Sequence, residues 1–369
     1  MDNGRAALES FTVAGKCSDQ ITCWFDLGDI HYYQGQYPNA MDCYQRGLEL
    51  AREENDQMLE AQARRNIGLA YKSLHQFDRA LAEYRRSLAV LERSGNERLV
   101  AHLLGNMGTV HLWLNENDIA LGLFLRDLAI LQRIGDVQGC AVALGNIAYV
   151  DMECGKWREG MDNYRKSLEL SERTGDRRTA AINLENLGLI YSDLGEYALA
   201  LDHMKRALTT YEQTRSADSI INCLGNLGHI LLEQGDLTQA KGVLNRAVEM
   251  DPDRAYGYSS SEVIFLLGKL RRGSGNNDEA TRLLRQAVML AEQWSRQDIA
   301  FQARLLEADI GNDDQALAVL LESAADDDQR AEALALRFRL TGQAAYRQRA
   351  TSSCMINARG LESKARLRN

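Results

Sequence analysis

A chain of 369 residues with 45% apolar and 26% charged side chains and only two prolines has the composition of stacked amphipathic helices, and strands are not expected. Its formal net charge of -9 argues against a nucleic-acid partner, since neutralising phosphates requires a basic face. The seven cysteines form no Cys-x-x-Cys pair and their odd number is awkward for a disulfide framework. No run of ~18 apolar residues and no apolar leader is present, so reduced thiols, no membrane span and a cytoplasmic location are expected.

Taken in chain order, residues 1–20 are expected to cap one end. From residue 21 to residue 295, Gly28, Gly68, Gly108, Ala148, Gly188, Gly228 and Gly268 return every forty residues. Ala40, Ala80, Ala120, Gly160, Ala200, Ala240 and Ala280 keep a second beat at the same interval. Fixed self-similarity of this kind marks seven supersecondary units, none able to bury its apolar face alone, that stack into a solenoid. The fifth unit shows the plan. Leu184, Leu187, Tyr191 and Leu194 lie at helical spacing, Gly195-Glu196 interrupts them, and Tyr197, Ala200, Leu201, Met204, Leu208 and Tyr211 resume. That is a helical hairpin, with Gly188 and Ala200 expected where its two helices come closest. Turns within units fall at Gly35, Gly155, Gly195, Gly235 and Gly275, with His75 and Asn115 in two others. Turns between units fall at Gly95, Gly135 and Gly175, each followed by Asn or Asp, and all suit left-handed C-caps.

After residue 295 the register is expected to lapse, residues 296–357 forming degenerate helical repeats that cap the array. Residues 358–369 are a basic tail. From residue 345 onward Arg347, Arg349, Arg359, Lys364, Arg366 and Arg368 face only Glu362. Two readings of this end are open: a solvated tail, or a segment that lies in an acidic part of the array and competes with partners.

The run Trp24-x-x-Leu27-Gly28 with Tyr37, Ala40 and Tyr44, and Asn186-Leu187-Gly188-x-x-Tyr191 with Ala200, resembles the tetratricopeptide repeat. Units of forty residues resemble those of rapsyn-like and Leu-Gly-Asn-repeat adaptors and of bacterial tetratricopeptide signalling modules. The resemblance implies an all-α, right-handed α-solenoid whose first helices line a concave groove.

An asparagine stands two residues ahead of the signature position in five consecutive units: Asn66, Asn106, Asn146, Asn186 and Asn226. Asparagine costs ~0.5 kcal/mol relative to alanine inside a helix, because its amide competes for backbone hydrogen bonds. The resemblance implies that these amides face the groove and bond the backbone of an extended peptide, to which an amide offers donor and acceptor alike. A structural ladder of amides bonded within the protein is the other reading. Seven residues further on, Glu153, Asp193 and Glu233 sit where the helix dipole disfavours acids. They are read either as a stripe selecting a basic partner segment or as solvated charges. Arg65, Lys72, His102, Thr109, Trp113 and Tyr149 lie nearby, with Trp113 and Tyr149 as candidate aromatic anchors, whereas Trp24 and Trp157 read as core. The clamp for a terminal carboxylate that the resemblance would otherwise suggest lacks its asparagine, since Leu69, Thr109, Tyr149, Leu189 and His229 occupy that position.

No His-Glu-x-x-His motif, phosphate loop or Gly-x-Ser-x-Gly elbow is present, so no catalytic residue, metal or cofactor is assigned. The expectation is a non-catalytic adaptor binding an extended segment of a protein partner, one with a basic segment if the acidic stripe selects it. The alternatives are a peptide-responsive regulator of a signalling or transcription system and an unrecognised enzyme.

Overall fold

The computed structural model describes residues 17–341. Its chain divides into two compact units, Met1–Cys154 and Gly155–Asn369. The first holds α1 (Cys17–Tyr33), α2 (Tyr37–Glu53), α3 (Gln57–Ser73), α4 (Phe77–Ser94), α5 (Glu97–Trp113), α6 (Asn117–Ile134) and α7 (Val137–Glu153). In the second are α8 (Trp157–Thr174), α9 (Arg177–Asp193), α10 (Tyr197–Thr214), α11 (Ala217–Gln234), α12 (Leu237–Met250), α13 (Gly257–Gly273), α14 (Asn277–Gln293), α15 (Gln297–Gly311), α16 (Asp314–Ser323) and α17 (Asp327–Thr341). Among the described residues there is no strand, and none of the helices is long and apolar enough to cross a membrane.

The chain is an α-solenoid of helical hairpins. Odd-numbered helices from α1 to α15 begin every forty residues, at 17, 57, 97 and so on to 297. Two residues set each junction. A left-handed residue ends the preceding helix, at Asn55, Gly95, Gly135, Gly175, Arg215 and Ser295, with φ between 54° and 71°. The next residue then caps the following helix: Asp56, Asn96, Asp136 and Asp176 accept hydrogen bonds from the first-turn amides of α3, α5, α7 and α9. His75 and Asn115 adopt the same left-handed geometry as the glycines they stand in for.

Packing explains the glycine beat, and differently from a close approach of two backbones. A Cβ on Gly28 would stand 2.4 Å from the Tyr44 ring, one on Gly68 2.4 Å from Tyr84, and one on Gly108 2.6 Å from Phe124. The glycine therefore opens a seat for a bulky side chain of the second helix, and Tyr44, Tyr84 and Phe124 are fully buried there. At Gly188, facing Met204 and the Ala200 carbonyl at 3.3 Å, and at Gly268, facing Leu284 and the Ala280 carbonyl at 3.6 Å, the partner backbone also comes near. Ala40, Ala80, Ala120, Ala200, Ala240 and Ala280 are all completely buried. In the second unit one apolar cluster runs unbroken from Ala181 to Ala303, as a one-dimensional stack requires.

Two places depart from the beat. Before α13, buried Asp251 gathers the loop by accepting from the amides of Ala255 and Tyr256 and from Ser260 Oγ. The forty-residue interval carries through α15 and is lost at α16, where Asn312 turns left-handed and the chain enters a shorter helix. Phe301, Leu305, Leu317, Leu320 and Ala333 form the local core of that end. The basic tail and residues 1–16 lie outside the described residues.

Candidate functional site

The five asparagines behave differently from one another. Asn66 is buried and its Oδ1 accepts from the neighbouring Arg65 guanidinium at 3.1 and 3.3 Å. Asn226 donates to Glu185 Oε1 at 2.7 Å, as does Asn222 one turn earlier, while Tyr211 Oη donates to Glu185 Oε2 at 2.8 Å. These two members thus bond within the protein. Asn106, Asn146 and Asn186 are half-buried, and their side chains make no hydrogen bond among the described residues. Three helix-interior amides therefore retain their full donor and acceptor capacity.

Two of them share one cleft of about 550 Å³ in the first unit. Helix α5 lines it with Arg98, His102, Asn106 and Thr109, a stripe at helical spacing, and α7 with Gln138, Val142 and Asn146, a second such stripe. Between them α6 contributes Asp127 and Leu131, and the α7 cap Asp136 stands at the rim. Asp127 is only 5% exposed, yet its Oδ1, shielded from solvent, has no hydrogen-bond partner. Burial, with a smaller contribution from Asp136, pushes its carboxyl up to about 7. A Cβ on Gly105 would lie 3.0 Å from Asp127 Oδ2, so glycine at that position makes room for the carboxylate. Asp136 is already occupied, accepting from the Gly139 amide at 2.9 Å and pairing with Arg98 at 3.4 Å. Partial desolvation, helped by Arg65 and Arg98 and opposed by Asp136, holds the His102 imidazole below its usual range, so it is neutral at pH 7.

The remaining sequence candidates are more dispersed. Trp113 is 58% exposed at the end of α5, stacked on Phe77 and edge-on to His75. Tyr149 is exposed on α7. Glu153 and Asp193 are exposed at the last residues of α7 and α9. Glu233 bonds Lys269 Nζ at 2.9 Å and lies 3.7 Å from His229, and the Lys269 bond holds its carboxyl below the usual range, so this acid already has a counterion. Trp24 and Trp157, expected in the core, are half-buried. In the second unit, a depression of about 350 Å³ lined by Phe265, Leu305, Leu306 and Leu336 has its charges engaged, since Arg272 and Arg339 both bind Asp309.

Sequence reasoning passed over Asp127 and Glu185. Glu185 is buried, and burial raises its carboxyl above the ordinary range against the three donors that surround it. A comparison of units would have exposed Asp127. The residues one repeat apart from it are Gly47, Ser87, Ser167, Ala207, Ala247 and Ala287, all small. Among the described residues no group of three or more His, Cys, Asp or Glu side chains is placed to hold a metal ion.

Comparison with known proteins places the fold. The tetratricopeptide repeat family model matches residues 19–93, 139–213 and 178–253, together more than half of the chain. No curated protein matches the sequence. Among solved structures, a Rap protein complexed with Competence and Sporulation Factor superposes with a TM-score of 0.63 at 15% identity, covering 95% of this chain and 99% of that one. The Rap conjugation gene regulator of plasmid pLS20, in complex with the Phr* peptide, gives 0.61 at 14% identity over 89% and 97%. The apo quorum sensor NprR from B. thuringiensis gives 0.53 at 14% identity over 84% and 99%. At these identities the likeness is one of fold, and it agrees with the recurring hairpins and the repeat matches in both units: the chain belongs to the tetratricopeptide repeat family.

Proposed function

We propose that this protein is a non-catalytic module that binds an extended polypeptide segment along the first helices of its hairpins. The observation that carries the reading is the pair of unpartnered amides, Asn106 and Asn146, on the walls of one cleft. Each costs helix stability and is repaid by nothing inside the protein. Amides one or two helical turns apart from other polar side chains on two parallel stripes suit a backbone that presents alternating N–H and C=O groups, whatever its side chains. Exposed Trp113 and Tyr149 on the same two helices supply apolar contact area.

A second reading, a regulator that responds to a peptide, is supported by the two Rap structures, which were solved with Competence and Sporulation Factor and with the Phr* peptide. The two readings differ in whether occupancy of the cleft alters binding elsewhere. The direct test is selection from a displayed library of random nonapeptides on the wild-type chain and on an Asn106→Ala/Asn146→Ala variant. Peptides that bind the wild type and are lost from the variant support the proposal. Equal retention by both proteins, or no enrichment on either, refutes it.

A further inference from the structure

We propose that the cleft formed by α5, α6 and α7 is a socket for a cationic side chain, Lys or Arg, of the bound segment, held by the Asp127 carboxylate while Asn106 and Asn146 pair with the adjoining peptide backbone. This rests on the peptide-binding reading above and adds to it a specificity-determining residue and a partner chemistry. Residues one repeat away from Asp127 show what the fold needs there: a small side chain, which in the fourth helix is Ser87 donating to the Ala61 carbonyl at 2.7 Å. A carboxylate satisfies no structural requirement at that site. It is 5% exposed, its Oδ1 is unpartnered, and the facing residue is a glycine that clears space for it. An unsatisfied polar group this deeply buried calls for an explanation, and here its position on the wall of an open cleft supplies one.

The sign of the ligand follows from the charges around it. Arg98 and Asp136 offset each other at 3.4 Å, and Asp136 also caps α7. The neighbouring His102 is neutral at pH 7, and the buried Cys140 thiol is raised by burial and by the nearby Asp136 and Asp127, so it carries no charge either. Asp127 remains as the cleft's one acid without a counterion among the described residues. A guanidinium or alkylammonium would supply both the missing charge and the missing donors.

The nonapeptide selection at pH 8 on the full chain, followed by calorimetric titration of the enriched peptide, tests this. The expected result is a Lys or Arg fixed at one position. Replacing it with Gln in the peptide, or making Asp127→Asn in the protein, lowers affinity at least about tenfold, and the two changes together cost no more than either alone. Wild-type affinity falls about tenfold between pH 8 and pH 6 as the carboxyl protonates. His102 and Asp136 are common to both proteins, so the part of the fall absent from the variant belongs to Asp127. Circular dichroism establishes that Asp127→Asn is folded, and Asp127→Ser, which introduces a residue two other units carry, replaces it if it is not. Enriched peptides without a fixed cation, or a basic peptide indifferent to both Asp127 variants, overturn the inference. If such peptides are still lost from Asn106→Ala/Asn146→Ala, the peptide-binding reading survives that failure; if nothing is enriched, both fall. Putrescine competing as tightly as the peptide would assign the socket to a free amine and overturn the peptide assignment.

Discussion

Replacing Asp127 with serine should make the protein more stable, and by an amount that depends on pH. A carboxyl whose ordinary value of 3.8 is lifted to about 7 by burial binds its proton more tightly in the folded than in the unfolded chain. Stability therefore falls as pH rises between those values, and the penalty is complete above about 7. Linkage puts its upper limit at about 4 kcal/mol at pH 8 and about 2 kcal/mol at pH 5. The cleft is open to water, so the realised gain at pH 8 is closer to the ~1–3 kcal/mol of relieving an unsatisfied buried polar group. Serine fits the position, since its hydroxyl would meet the Ala101 carbonyl where Ala61 serves Ser87. At roughly 2–4 °C per kcal/mol for a unit of this size, Asp127→Ser should raise Tm by several degrees at pH 8 and by clearly less at pH 5, followed by far-UV circular dichroism. A Tm that drops, or a gain that is the same at both pH values, would show that Asp127 is not strained by burial and would remove the physical basis for assigning it a ligand.

Gly68→Ala should destabilise by about 1–3 kcal/mol in urea denaturation, because the new methyl would stand 2.4 Å from the buried Tyr84 ring. Gly122→Ala is its control: nothing lies within 4 Å of that site inside α6, so the same change should stabilise by about 0.5–1 kcal/mol. Glu185→Ala should cost about 2–4 kcal/mol by the same measurement, since it strands the Tyr211 hydroxyl and the Asn222 and Asn226 amides together. Glu233→Gln, by contrast, breaks a pair whose members are 45% and 43% exposed, and should shift the urea midpoint by less than the equivalent of about 1 kcal/mol.

The architecture could be read from the chain because each repeat restates the same two constraints. A helix must end, which needs a residue tolerant of positive φ at every twentieth position, and the second helix must seat a bulky side chain, which needs a glycine or alanine opposite it. Seven restatements make such a pattern hard to miss. The proposed site rests instead on residues that break the pattern once. Whether a ladder asparagine is free depends on the side chain just before it and on those one repeat away. Arg65 occupies Asn66, and Glu185 reaches across to Asn226, while Gly105 and Gly145 leave Asn106 and Asn146 unclaimed. Recurrence makes the row of amides visible and hides these single departures, Arg65 and Glu185, which tie Asn66 and Asn226 into the structure, and Asp127, which pairs with none of them. Local inconsistency with an otherwise uniform repeat is itself a physical signal, because residues that the fold penalises concentrate at functional or strained sites. By that criterion Asp127, facing Gly105 where other units place Gly, Ser or Ala, is the residue at which the search for a ligand begins.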